Sequence, residues 1–198
     1  HKKALLATVQ TPWGPLRFAS THLDPIGTPK QRAAQLADVM AVLDGTSDTP
    51  IVARLPLDAA STANSAEPLP VLLGGDLNTS TYDLGSIPRL LWNLTQKAVR
   101  GGFPHAIHHY MHPWLCYERP VFDVLARHGF VTDGFNDLAE GTIRYEVGSF
   151  DSESKVRDML PGFAVSFLRW RLAPWNGVAP LKVDWFAGRG LRALGAGE

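Results

Sequence analysis

LPVLLGGDLNTSTYD, residues 69–83, runs an apolar strand into a polar turn. Pro70 to Leu73 form a short continuous apolar run, the pattern of a strand buried on both faces, and Gly74 and Gly75 end it. Asp76 and Asn78 stand two apart on the exit, so their side chains can leave the strand end together while Leu77 turns back toward the core. A carboxylate and an amide placed there suit a ligand. Gly-Gly-Asp and Asn-Thr-Ser are also ordinary turn chemistry, so the stretch taken alone is equally compatible with a plain turn.

Working outward, residues 4–9 and 15–23 read as two strands joined by a hairpin turn at Thr11-Pro12-Trp13-Gly14-Pro15, the second ending at His22. A helix follows, with Thr28 as N-cap, Pro29 at the first helical position and Gln31 completing a capping box. Leu36, Val39, Met40 and Leu43 recur at helical spacing, and Gly45 is placed to end it. Residues 46–68 turn to Ser, Thr, Ala, Asp and Pro without period, the composition of an inserted surface loop. Residues 86–99 predict a helix with a stripe of Ile87, Leu90, Leu91, Leu94 and Ala98, and residues 119–128 another. Strand-like pieces follow at 129–131, 142–147, 163–172 and 181–187. Strands alternating with helices, plus a hairpin, predict an α/β (α+β) domain on a mixed sheet, and no GxGxxG or P-loop pattern is present.

The 198 residues, 45% hydrophobic, are enough for one sizeable core. Nineteen basic and nineteen acidic residues cancel, which removes the global positive field of an indiscriminate nucleic-acid or membrane binder. A single cysteine, Cys116, excludes an internal disulfide and a Cys-rich zinc module, and leaves cytoplasmic and secreted settings both compatible. No apolar run is long enough for a membrane span. A soluble monomer is expected.

Three strand ends carry the chemistry: Thr21-His22-Leu23, Gly75-Asp76-Leu77-Asn78 and Asp184-Trp185-Phe186. In that order, with the helix after Thr28 between the first two, they resemble the endonuclease/exonuclease/phosphatase (DNase I-like) superfamily. The likeness runs from about Ala4 to Leu191 and is loosest between Gly101 and Pro180. The resemblance implies a four-layer sandwich of two mixed sheets flanked by helices, and a divalent-metal phosphoesterase site. It makes His22 the contact to the scissile phosphate, and Asp76 the group that aligns or deprotonates the attacking water. Asn78 would hydrogen-bond a phosphoryl oxygen or that water, and Asp184 would orient a second histidine. Asp76 and Asn78 would stand nearest the metal, Mg²⁺ or Mn²⁺. Carboxylate, amide, imidazole and a hard cation are the minimum kit for generating a nucleophile at neutral pH and absorbing charge on phosphoryl oxygens. The implied substrate is a phosphoester in nucleic acid, a phospholipid or a small phosphodiester.

Two parts of that family's pattern are not found in the 198 residues: an early metal-binding glutamate and a late Ser-Asp-His. The chain is therefore expected to be one partial domain of a hydrolase, itself inactive, with insertions near 46–68 and 101–118. A non-catalytic member of the fold that binds a phosphorylated partner is the alternative. Arg144 is a candidate contact to a substrate phosphate, against the ordinary reading of a surface ion pair. His105, His108, His109 and His112 fall at i, i+3, i+4 and i+7, the zinc-binding spacing on a helix, but Pro104 and Pro113 bracket them and a solvated loop is expected. Phe167, Arg169, Trp170, Arg171 and Trp175 read as core packing with arginines outward, the alternative being a stacking platform or a membrane-interface edge.

Overall fold

The computed structural model describes residues 4–46, 69–80, 86–146, 166 and 169–194. Four strands form a mixed sheet in the order β1 (Ala4–Thr11), β2 (Gly14–Thr21), β3 (Val71–Asp76) and β6 (Asp184–Arg189). The β1–β2 pair is antiparallel, β2–β3 parallel and β3–β6 antiparallel. A separate antiparallel pair joins β4 (Ile143–Glu146) to β5 (Val178–Leu181). Helices α1 (Pro29–Leu43), α2 (Ile87–Val99), α3 (Gly102–Met111) and α4 (Arg119–Arg127) complete an α+β arrangement with two sheets.

One face of the larger sheet builds the main core. Ala19, Val71, Leu73, Trp185 and Ala187 point to that face and meet Leu36 and Met40 of α1 and Val121, Val124 and Leu125 of α4. Helix α1 begins with the expected capping box between Thr28 and Gln31, which satisfies two otherwise unpaired backbone N–H groups. Its Arg32 is fully buried, with the guanidinium on the Glu118 carboxylate ahead of α4 and on the Gly27 carbonyl. At the far end of α1, Asp44 accepts from Arg189 Nη1 at 2.6 Å and pairs with His128 Nδ1 at 2.7 Å. Burial works to raise the Asp44 pKa, but these two partners overcome it and hold the carboxyl below its ordinary value. The two helices are thus fastened to each other at one end and to β6 at the other.

The outer face of the same sheet is apolar and open. Leu5, Val9, Phe18 and Phe186 are all exposed there, and Leu72 is only half-buried, so β3 is covered on one face and not on two as its apolar run suggests. The free edge of β6 is covered by residues 131–137. Val131 exchanges two backbone hydrogen bonds with Gly188, and the Asn136 amide acts as a substitute strand, donating to the Phe186 carbonyl at 2.7 Å and accepting its N–H at 2.9 Å.

Several expectations change. The piece 181–187 divides, because Lys182 and Val183 separate β5 from β6 and the two strands belong to different sheets. Gly129–Val131 makes a single bridge and not a strand. Of 163–172, the described residues 166 and 169–172 are helical; a short apolar run does not distinguish the two periods. Residues 101–118 are not a loop: α3 and a 3-10 turn at Pro113–Leu115 fill them, since Pro104 sits in the first turn of α3, where no backbone donor is needed, and Pro113 follows its end. Residues 47–68 lie outside the described ones.

The helix at 87–99 forms as expected but faces the other way. Leu91, Leu94 and Ala98 are exposed, while Asn93 and Gln96 are half-buried and Lys97 is buried. The Lys97 ammonium lies 5.0 Å and 5.4 Å from the ring centroids of Tyr117 and Tyr110. Burial pushes its pKa from 10.5 down to about 7, against the attraction of Glu118. The unfolded chain therefore holds this proton up to 10.5 while the folded chain releases it from about 7. The Lys97 contribution to stability rises across that window and is lost as pH falls through about 7. Urea midpoints between pH 7 and 10 are expected to climb less steeply in Lys97→Met than in the parent.

Two glycines separate backbone strain from steric closure. A Cβ on Gly75, at φ 143°, would stand 2.0 Å from the Thr21 carbonyl oxygen, whereas one on Gly14, at φ 115°, meets nothing within 4 Å. Gly14→Ala is expected to cost about 1 kcal/mol, the backbone term alone. Gly75→Ala adds displacement of β2 from β3 and is expected to cost more than about 4 kcal/mol by urea denaturation.

Candidate functional site

Three segments deliver polar side chains to one margin of the larger sheet: the C-terminal ends of β2 and β3 and the start of β6. They coincide because β3 runs parallel to one neighbour and antiparallel to the other. Asp76 is the direct partner of Asp184, and extending the β2–β3 register two residues beyond Ser20 opposite Gly74 sets His22 beside Asp76. Residues paired across strands share a face. His22, Asp76 and Asp184 therefore emerge in line on the open face, with His22 Nε2 3.7 Å from Asp76 Oδ2.

The turn after β3 is locked from both sides. Leu23 N–H donates to the Asp76 carbonyl and Leu77 N–H to the Val183 carbonyl, each at 2.9 Å. Asp76 Oδ1 accepts the Asn78 N–H at 2.7 Å, an Asx turn, and Asn78 takes φ 50°, a left-handed conformation asparagine tolerates. Asn78 Nδ2 donates to the Leu23 carbonyl at 2.7 Å. One of the two amide hydrogens is thus spent on structure, which fixes the orientation of the buried Asn78 side chain. Leu77 is fully buried, as expected, but Asn78 is buried with it, so of the pair Asp76 and Asn78 only Asp76 is partly exposed.

Behind the site runs a layer of polar groups that the motifs did not disclose. Thr79, fully buried, donates to the Lys182 carbonyl at 2.9 Å and accepts from Trp185 Nε1 at 2.8 Å. Thr142 Oγ1 accepts the N–H groups of Val183 at 3.0 Å and Asp184 at 3.2 Å, fixing the backbone that carries the carboxylate. The Lys182 ammonium lies 5.4 Å from the Trp185 ring centroid, and burial lowers its pKa against the pull of Asp137 and Asp184. A Cβ on Gly74 would stand 2.7 Å from the Phe186 ring, so glycine lets that half-exposed ring lie flat on β3, two residues from Asp184 on the same face. The Asp-Leu-Asn-Thr string offered a signal for Thr79; nothing in the sequence pointed to Thr142 as a backbone clamp.

Arg144 is not gathered with these residues. It lies exposed on β4 opposite Pro180, in the smaller sheet. The four histidines do lie along α3, with His112 at its C-cap: His105 Nε2 meets the Tyr117 hydroxyl at 2.9 Å, His109 and His112 each turn Nδ1 to a backbone carbonyl one turn back, and His108 stacks on His112 with ring centroids 4.6 Å apart. Among the described residues, no group of three or more His, Cys, Asp or Glu is arranged to hold a metal ion. Of the aromatic cluster, Trp170 is two-thirds exposed, and the Arg171 guanidinium lies 5.4 Å from the ring centroids of both Trp170 and Phe103.

Asp76 and Asp184 are like charges directly opposite across the strands, an arrangement that a cation relieves. Their oxygens, with that of Asn78, are hard donors, and so few of them suit an ion that keeps several of its waters, as Mg²⁺ does. Asp76 and Asp184 are the carboxylates such an ion would take here.

No known protein-family model matches the chain, and no curated protein or solved structure matches it significantly.

Thr79→Val keeps the shape but strands the Trp185 N–H and the Lys182 carbonyl. A loss of about 1–3 kcal/mol in urea unfolding is expected.

Proposed function

We propose that this chain carries the phosphoester-binding centre of a divalent-metal-dependent hydrolase of the endonuclease/exonuclease/phosphatase type. The observation that carries the reading is the meeting of His22, Asp76, Asn78 and Asp184, widely separated in sequence, at one margin of one sheet.

Each side chain has a role its surroundings support. Asp76, with one oxygen held by the Asn78 N–H and the other toward His22, aligns the attacking water and accepts its proton. His22, exposed beside it, donates to a phosphoryl oxygen. The Asn78 amide fixes the orientation of the same group. Asp184, clamped through its backbone by Thr142, holds an imidazole or shares the cation with Asp76. Mg²⁺, or Mn²⁺ in its place, would rest on Asp76, Asn78 and Asp184 and supply charge neutralisation at the phosphoryl oxygens. Phe186 offers an aromatic surface beside the phosphate position.

The test is hydrolysis of a generic phosphodiester by this chain together with whatever flanks it in its protein, with Mg²⁺ and with EDTA. Turnover is expected with Mg²⁺ and abolished by EDTA, and Asp76→Asn and His22→Ala are each expected to lower it by about 100-fold or more. Phosphodiester binding without turnover would instead identify a non-catalytic member of the fold.

A further inference from the structure

Helix α2 turns its apolar arc outward and its polar arc inward. Leu91, Trp92, Leu94 and Val99 are 58%, 65%, 43% and 81% exposed, while Lys97 is buried against Tyr110 and Tyr117. On a helix these four positions, with Ala98 and Thr95 between them, span about half the circumference as one continuous strip. At the start of α3, Arg171 lies between the partly buried ring of Phe103 and the exposed ring of Trp170. A surface of that size and continuity on a folded chain marks a place where something else sits.

Charge identifies the occupant. From Leu84 to Tyr117 the sequence has no Asp or Glu, although the whole chain is neutral. The same stretch places Arg89 in the first turn of α2 and Arg100 at its C-cap, both exposed, Arg100 also reaching Cys116 Sγ at 3.7 Å. An apolar arc with a tryptophan at its border and basic groups at both ends fits the boundary between anionic headgroups and acyl chains. We propose that α2 is an interfacial helix that lays this arc into an anionic lipid surface. No helix among the described residues is long and apolar enough to cross a membrane, and an in-plane helix requires none.

Cosedimentation of the chain with phosphatidylcholine vesicles, with and without phosphatidylserine, tests this. Binding is expected to the phosphatidylserine vesicles, with a blue shift of tryptophan emission that is lost in Trp92→Ser. Leu91→Asp with Leu94→Asp is expected to weaken binding at least tenfold, and Arg89→Glu with Arg100→Glu to reduce it to the phosphatidylcholine level. These positions are exposed, and circular dichroism confirms folding; should the aspartate pair unfold the chain, Trp92→Ser serves in its place. Asp76→Asn is expected to bind vesicles as the parent does, which keeps this result separate from the phosphoester reading. The proposal is overturned by absence of binding, by equal binding to both vesicle types, or by variants that bind like the parent. A lipid-free dimer dissolved by the aspartate pair would also overturn it, assigning the surface to a second copy.

Discussion

The approach of Gly75 to the Thr21 carbonyl, which leaves no room for a Cβ, is the constraint on which the polar margin depends. With any side chain at position 75, β2 and β3 would part at their ends, where His22 and Asp76 must meet. Gly74 does a related task on the opposite face by admitting the Phe186 ring. The two glycines are thus not merely a strand terminator. One sets the distance between neighbouring strands and the other clears the open face, and a carboxylate follows immediately.

The same economy governs the polar layer beneath. Thr79, Thr142 and the Asn78 amide spend their hydrogen bonds on the backbone of other segments, at Lys182, at Val183 and Asp184, and at Leu23. Such groups cost stability if left unpaired in a buried setting, and here they convert that cost into fixed geometry. His22, Asp76 and Asp184 therefore stand on a backbone held from several segments.

Local chemistry was legible in the sequence; tertiary orientation was not. The capping box at Thr28 and Gln31 and the hairpin glycine each follow from interactions within four residues, and each is where the letters put it, whereas Asn78, expected to point outward with Asp76, takes a left-handed conformation and is buried against the Leu23 carbonyl. The convergence of His22, Asp76 and Asp184 was readable only as an order of motifs, because the register that aligns them is a property of three strands together. Helix α2 shows the limit best. Its apolar spacing foretold a helix and pointed to the wrong side as the buried one, since Lys97 has two tyrosine rings and Glu118 to receive it. The prolines around the histidines misled for the opposite reason: both occupy positions where a helix tolerates them.

The side chain of Asn136 has an effect beyond the residue it holds. By satisfying both polar groups of Phe186 it seals one border of the four-stranded sheet, whereas at the opposite border β1 has no neighbouring strand among the described residues. A ribbon closed on one flank and open on the other can be lengthened from one direction only. Strand addition, whether by another molecule or in aggregation, is thereby directed to the flank that carries Leu5 and Val9 and kept away from the end of β6 that carries Asp184.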